Sequence, residues 1–134
     1  MDAAGSTEVL MQARAMVLAD LAARAHATPA AVSALEDACA ERRWWLEQWP
    51  EGAAYIAGLV AQDVQDALLE MVGRWPLCQD CDAPELPGRA PDPREALHSL
   101  YIQPDLGGPD PVWVCEETGH VVAALGQLGR DARG

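Results

Sequence analysis

Residues 74–81 have the sequence Arg74-Trp75-Pro76-Leu77-Cys78-Gln79-Asp80-Cys81, and the character of the chain changes at this point. Of the ten prolines, two precede residue 74 and eight follow it. Proline interrupts helices and is favoured in turns. Residues 1–73 are therefore predicted to form a helical bundle, and residues 74–134 a small β module. The expected fold class is α+β.

Three amphipathic helices are predicted before this boundary, because apolar residues recur there every three to four positions. The predicted ranges are about 7–25, 29–48 and 52–72. Ser6 or Thr7 is expected to cap the first helix with a side-chain oxygen, and Thr28 the second. Pro50 is expected to end the second helix. Since the connections are short, the helices should form an antiparallel three-helix bundle.

Three short strands are predicted after the boundary. The strand-like segments are residues 97–103, 111–115 and 120–124, each bounded by turn-forming residues. Residues 104–110 should connect the first two strands as a loose hairpin, and Thr118-Gly119 should form a tight turn before the third. The simplest arrangement of these segments is a three-stranded antiparallel sheet.

The chain is strongly acidic. Its 134 residues include 21 acidic and 9 basic side chains, and the net charge is −12. A charge of this sign repels nucleic-acid phosphates and anionic membranes, and it favours a basic protein partner. The first residues are acidic rather than basic, and the longest apolar stretch, residues 53–61, is shorter than the ~20 residues that span a bilayer. We therefore expect a cytoplasmic protein with reduced cysteines.

Three cysteines and a histidine in the second part have the spacing of a metal site. Cys78 and Cys81 form a C-x2-C pair. Cys115 follows after 33 intervening residues, and His120 lies five positions further on. A C-x2-C loop directs two thiolates toward one Zn²⁺, and a third thiolate and an imidazole would complete a tetrahedral shell. The sequence predicts a structural zinc ion bound by these four side chains, with His98 as the reserve fourth ligand.

The segments around these cysteines resemble zinc-ribbon (rubredoxin-like knuckle) domains. The likeness is carried by WPLCQDC (75–81) and VWVCEETGH (112–120), and it extends over about residues 75–128. It implies a small sheet fastened by a structural zinc ion. The second knuckle departs from the family pattern, since Thr118 stands where the second cysteine of a regular C-x2-C pair would fall. The chain also resembles small bacterial proteins that join a helical front to a Trp-x-Cys ribbon.

Two alternatives for the cysteines stay open. One is a degenerate ribbon without metal, and the other is a reversible Cys78–Cys81 disulfide in a thiol-redox protein. Thiol–disulfide enzymes place C-x-x-C at the start of a helix, where the thiol pKa is lowered. The prolines within residues 82–87 prevent a helix of any length there. The expected absence of a helix after the C-x2-C pair therefore favours zinc binding over redox chemistry.

Residues 21–36 resemble the core of bacterial helix-turn-helix DNA-binding domains. The positions that carry this likeness are Ala22, Ala25, Thr28, Val32, Ser33 and Leu35. The resemblance implies that Pro29, Ala30 and Ser33, at the start of the second helix, would contact bases. None of the three is basic, although Arg and Lys contacts to phosphate supply most of the affinity for DNA. A DNA-binding regulator is therefore the alternative function rather than the first.

Tryptophans cluster at the end of the second predicted helix. Trp45 and Trp49 are four positions apart and share a helix face, whereas Trp44 points elsewhere. Large aromatic side chains pack a core or domain junction, or they anchor a protein partner. Because these three cannot all face inward, they are candidate partner-binding residues. Trp75 and Trp113 flank the cysteines and are expected to cover the metal site.

The leading functional hypothesis is a non-enzymatic protein-interaction, adaptor or assembly module that carries a structural zinc ion. Its expected partner is a protein or a second copy of the chain, and neither a membrane nor nucleic acid. Asp63, Asp66 and Glu70 recur at helical spacing and are expected to form a solvated acidic face rather than a cation site. Cys39 is expected to be a small core residue.

Overall fold

Three helices precede a three-stranded antiparallel sheet in the computed structural model, which describes residues 3–23, 25–77, 99–104, 109–116 and 118–130. The α-helices are α1 (Ala3–Ala23), α2 (Pro29–Gln48) and α3 (Ile56–Met71). The strands are β1 (Leu100–Gln103), β2 (Val112–Cys115) and β3 (Val121–Ala124), and short 3-10 helices span Pro50–Tyr55 and Leu128–Arg130. The α+β class and the order of its elements are as the sequence predicts.

The first two helices begin in different ways. Because α1 is already helical at Ala3, Ser6 and Thr7 lie inside its first turns, and the capping role predicted for them is wrong. Thr28 caps α2 as predicted. Its backbone is extended, and its hydroxyl oxygen accepts a hydrogen bond from the N–H of Ala31 at 3.1 Å. This bond satisfies one of the backbone donors that the first turn of a helix leaves unpaired.

The C-terminus of α1 ends in a Schellman motif. The N–H of Ala25 donates to the carbonyl of Ala22 at 3.1 Å, and the N–H of His26 donates to the carbonyl of Leu21 at 2.8 Å. This pair of bonds requires a left-handed residue, and Ala25 adopts that conformation with φ 58°. The chain therefore reverses between α1 and α2 without a glycine at the position where glycine is most common.

The third helix begins later than predicted. Gly52, its expected first residue, lies inside the 3-10 helix, and regular α-helix begins at Ile56. The predicted periodicity of α3 is confirmed over most of the helix, because Ile56, Val60, Val64 and Leu68 are buried. Met71 and Val72, which continue the same apolar pattern, are exposed. Within the part of the chain that the structure describes, no helix has both the length and the apolar character needed to cross a membrane.

The sheet has the strand order β1-β2-β3. Leu100 pairs with Cys115 across the first ladder, and the bulged second ladder pairs Trp113 with Ala123. Between β2 and β3 the N–H of Gly119 donates to the Cys115 carbonyl at 2.9 Å, and Gly119 has φ +74°. The turn predicted at Thr118-Gly119 is therefore confirmed. Of the predicted hairpin over residues 104–110, residues 105–108 lie outside the described ranges.

One hydrophobic core joins the helices to the sheet. Each helix packs against the other two, and α3 also packs against β1. Buried side chains from both parts belong to a single cluster, among them Val17, Leu35, Val64, Ile102 and Trp113. The sheet is consequently held on the helical bundle by the same apolar contacts that hold the helices together.

A buried carboxylate fastens the C-terminal part of the chain to α1. The side chain of Asp20 is fully buried. It accepts hydrogen bonds from the indole N–H of Trp113 at 2.8 Å and from the backbone N–H groups of Gly126 (2.6 Å) and Leu128 (3.1 Å). A buried carboxylate is tolerated only where such donors replace its lost hydration. Asp20 therefore fixes the position of β2 and of the segment after β3.

Candidate functional site

The structure describes two of the four predicted zinc ligands. Cys78 and Cys81, and the reserve ligand His98, lie outside the described residues. Cys115 is buried at the end of β2, whereas His120, just before β3, is exposed. Their backbones are joined by a hydrogen bond from the Cys115 N–H to the His120 carbonyl at 2.8 Å. Among the described residues, no group of three or more His, Cys, Asp or Glu side chains has the arrangement of a metal site.

The chain that leads into Cys78 lies beside the sheet. Leu77 forms an antiparallel bridge with Ser99, and the N–H of Leu100 donates to the carbonyl of Pro76 at 2.8 Å. Leu100 in turn pairs with Cys115. Since neighbouring strands are about 4.8 Å apart, the backbone at Leu77 lies roughly 10 Å from that of Cys115. The fold thus brings the residue before the C-x2-C pair to within two strand spacings of the third cysteine.

Gln65 on α3 holds these two segments together. Its side-chain amide donates to the carbonyl of Trp75 at 3.1 Å and to the carbonyl of Leu100 at 2.9 Å. One donor group therefore bridges the chain before Leu77 and the start of β1. Sequence periodicity places Gln65 on the wet side of its helix, so this role depends on tertiary contacts that the pattern does not contain.

The two tryptophans expected to cover the metal site lie in the common core. The rings of Trp75 and Trp113 meet edge to face with centroids 5.4 Å apart, and both are almost fully buried. The indole N–H of Trp113 is bound to Asp20. The indole N–H of Trp75 has no hydrogen-bond acceptor among the residues that the structure describes. Both rings stabilise the junction between α1, α3 and the sheet.

The tryptophans at the end of α2 have separate environments. Trp44 is 64% exposed, whereas Trp45 packs partly against the core. The rings of Trp45 and Trp49 meet edge to face with centroids 4.9 Å apart, and Trp49 stacks on Tyr55 with centroids 5.5 Å apart. Despite these contacts, 43% of the Trp49 surface is exposed. The predicted shared face of Trp45 and Trp49, with Trp44 on another face, is confirmed. We call the rings of Trp44, Trp45, Trp49 and Tyr55 the aromatic end of α2.

A glycine makes the stacking of two of these rings possible. A Cβ at Gly52 would lie 2.5 Å from a ring carbon of Trp49 and 2.6 Å from one of Trp45. Real Cβ atoms do not approach other heavy atoms so closely. The indole rings therefore lie directly on the backbone of the 3-10 helix, and their packing requires a residue without a side chain.

Arg42 neutralises one of the carboxylates expected on the wet face of α3. Its guanidinium donates two hydrogen bonds to Asp63, at 2.7 and 2.9 Å, and lies 5.7 Å from the ring centroid of Trp45. The hydrogen bond that the guanidinium donates to Asp63 raises the pKa of Arg42 above its ordinary value. Asp63 is therefore part of a bidentate ion pair, while Asp66 and Glu70 are exposed as predicted.

An open groove runs between α2 and α3. It encloses about 390 Å³, and most of its lining side chains are alanines or carboxylates. The carboxylates are Asp37 and Glu41 on α2 and Asp63 on α3, and Met71 also lines it. Small residues at helical spacing on α2 are a signal for such a groove, but the partner wall on α3 follows only from the packing of the two helices.

Two of the three residues that the helix-turn-helix resemblance implies as contacting bases lie along this groove. Ala30 and Ser33 line it, together with Asp37 and Glu41. Phosphate groups approaching this face would meet carboxylates rather than the arginines that DNA binding needs. Thr28, one of the positions that carry the likeness of residues 21–36, caps α2, and any helical hairpin of this kind can use such a cap.

Comparison with known proteins identifies a family. The sequence profile of a domain of unknown function (DUF8819) matches residues 6–125, which include α2, α3, the three strands and all but the first three residues of α1. No curated protein and no solved structure matches the chain.

Proposed function

The chain belongs to the DUF8819 family, and we propose that it is a non-enzymatic protein-interaction module that binds a partner through the aromatic end of α2. The observation that carries this proposal is the exposure of Trp44 beside a fixed stack of aromatic rings on an acidic helical surface. Tryptophan is enriched among the residues that dominate binding energy at protein interfaces.

The stack supports binding because its rings are already ordered. Trp49 lies between Trp45 and Tyr55, and Trp45 is also held by the guanidinium of Arg42. Ordering a side chain at an interface opposes association by about 0.5–1.5 kcal/mol. Rings that are fixed before binding avoid most of this loss. The exposed part of Trp49 is therefore a fixed apolar contact surface, and Trp44 adds a second exposed indole at the same end of α2.

The test is capture of partners from the native host with the wild-type protein and two variants. Trp44→Ala removes the exposed indole. Met11→Ala is the matched control, because Met11 is also 64% exposed but lies on α1. We expect Trp44→Ala to lose the main captured protein and Met11→Ala to retain it. The proposal would be overturned if both variants captured the same protein equally well. It would also be overturned if the wild-type protein captured no protein with saturable binding.

The proposal includes a structural zinc ion bound by Cys78, Cys81, Cys115 and His120. Its support is the position of Pro76 and Leu77, which directly precede Cys78 in the sequence. The carbonyl of Pro76 accepts a hydrogen bond from the N–H of Leu100, and Leu77 bridges to Ser99, beside the strand that pairs with Cys115. Three thiolates and an imidazole are the donor set that tetrahedral zinc prefers, and a reducing cytoplasm, which the proposal assumes, keeps the thiols available. A closed shell of four protein ligands would supply folding energy rather than catalysis.

Metal analysis tests this part separately. The purified wild-type protein should contain about one zinc per chain. Cys81→Ser and His120→Ala should each lower the zinc content, whereas His98→Ala should leave it unchanged. Wild-type protein without zinc after purification under reducing conditions would exclude the site. Loss of zinc in His98→Ala but not in His120→Ala would instead assign the fourth ligand to His98.

A further inference from the structure

We propose that the groove between α2 and α3 binds a basic amphipathic helix of the partner protein, an inference that rests on the proposed interaction function. The groove has alanines along its walls and carboxylates among its lining residues, and in helix-in-groove recognition an amphipathic helix lays its apolar face into such a groove.

The groove is long enough to lie along about three turns of a docked helix. Its lining residues on α2 extend from Ala30 to Glu41, eleven positions or about 16 Å along the helix axis. Ala34 and Ala38 stand on one wall and Ala67 on the other. Because alanine side chains are small, a third helix could approach α2 and α3 closely. The larger side chains of that third helix could then enter the space between α2 and α3.

Exposed apolar side chains are positioned to extend the contact. Met71 lines the groove at the end of α3 and is 48% exposed. Asp37, Glu41 and Trp44 follow each other along α2 at intervals of four and three positions, so they share one face of the helix. The exposed indole of Trp44 therefore continues the line of groove residues. A helix seated in the groove would reach the aromatic end of α2.

The charge of the groove selects a basic occupant. Asp63 is paired with Arg42, but neither Asp37 nor Glu41 forms an ion pair with a described residue. Both are exposed, and they are one helical turn apart. Arginines or lysines one turn apart on a partner helix would match this spacing. A second copy of this chain would bring its own net charge of −12 to the same surface, so the charge disfavours self-association here.

The probe is a fluorescein-labelled helical peptide of about 18 residues, or five turns. It carries leucines along one face and arginines beside that face, and a second peptide replaces every arginine with glutamate. Fluorescence anisotropy measures the binding of both peptides to the full-length protein at 0.15 M salt. We expect saturable binding of the arginine peptide and none of the glutamate peptide. Equal affinity for the two peptides would overturn the charge argument.

Two double variants distinguish binding in the groove from non-specific attraction of the peptide to the acidic protein. Asp37→Asn combined with Glu41→Gln removes the charges of the groove. Asp66→Asn combined with Glu70→Gln is the matched control, because this pair has the same spacing and exposure but does not line the groove. Two rim ion pairs contribute about fivefold to affinity, so the first variant should bind the arginine peptide about five times more weakly. The control should change affinity less than twofold, and equal weakening by both would overturn the site.

A third variant tests the shape. Ala34→Arg should abolish peptide binding, because it fills the groove with a long side chain of the wrong charge. Circular dichroism confirms that the variant is folded, and amide chemical shifts should change along residues 30–41 and 63–71 of the wild type only. Unchanged binding by a folded Ala34→Arg would refute the groove as the site.

The outcomes separate this inference from the proposed function. If the host partner is lost with Trp44→Ala but retained with Ala34→Arg, the interaction function stands and the groove proposal fails. If neither variant affects capture, the interaction function itself fails. Self-association that is abolished by Ala34→Arg would identify a second copy as the occupant and would overturn the proposal of a basic helix.

Discussion

Replacement of Asp20 by asparagine should destabilise the fold far more than the same replacement of an exposed aspartate. Asp20 is fully buried, and one of its oxygens accepts hydrogen bonds from both the Trp113 indole and the Gly126 N–H. The other oxygen accepts from the Leu128 N–H. An asparagine has the same shape but only one oxygen. In its better orientation it keeps the first two bonds and turns its NH₂ group toward the N–H of Leu128.

The magnitude follows from these three bonds. A hydrogen bond to a charged group contributes about 1.5–3 kcal/mol and a neutral one about 0.5–1.5 kcal/mol. Losing one hydrogen bond to the carboxylate and weakening the other two reduces stability by roughly 4 kcal/mol. Part of this loss is offset, because burying a neutral amide has a smaller desolvation cost than burying a carboxylate. We expect Asp20→Asn to lower the free energy of unfolding by about 3 kcal/mol, a large fraction of the 5–15 kcal/mol typical of a domain.

Urea unfolding measured by tryptophan fluorescence is the assay, because Trp113 is bound to Asp20 and is buried. With a slope of about 2 kcal/mol per molar urea, the midpoint should fall by about 1.5 M. Asp66→Asn, on the exposed side of α3, should change stability by less than about 0.5 kcal/mol. A loss below 1 kcal/mol for Asp20→Asn would refute the reasoning, since it would mean that the desolvation of the carboxylate cancels its hydrogen bonds.

Further predictions concern the backbone and the thiol. Ala25→Gly should stabilise the protein by up to about 1 kcal/mol in the same urea assay, because glycine, which has no Cβ, adopts φ 58° without a steric clash. A loss of stability would contradict the assignment of the Schellman motif. Gly52→Ala should destabilise it by about 1–3 kcal/mol and shift tryptophan emission, because the new Cβ overlaps the rings of Trp45 and Trp49. Burial, with Glu36 nearby, raises the pKa of the Cys39 thiol. Maleimide should therefore label Cys39 more slowly at pH 7 than it labels free cysteine, because only the thiolate reacts. The labelling rate of Cys39 should increase as the pH rises through this raised pKa.

Local sequence signals predicted those elements that local physics determines. The 3.6-residue periodicity of α3 and the Thr28 cap of α2 both appear in the structure. The short strands are also where alternation and turn residues placed them, because a glycine such as Gly119 supplies the positive φ that the turn needs. These features depend on residues a few positions apart, so a single sequence contains them.

Features that depend on distant residues were not predictable in this way. Asp20 lies in a helix, where a charged residue is expected to face water, and its donors are more than 90 positions further along the chain. The groove arises only when α2 meets α3. The late start of α3 coincides with the rings of Trp45 and Trp49 lying on Gly52, a contact between these side chains and the backbone of the 3-10 segment.

The central claim is that the surface of α2 around Trp44 contacts a protein partner in the cell. The most direct measurement replaces Trp44 with a photoreactive phenylalanine derivative in the native host, with the same substitution at Met11 as the control of equal exposure. Irradiation should join position 44, and not position 11, to one protein with a basic amphipathic helix. No adduct at position 44, or the same adducts from both positions, would contradict the account.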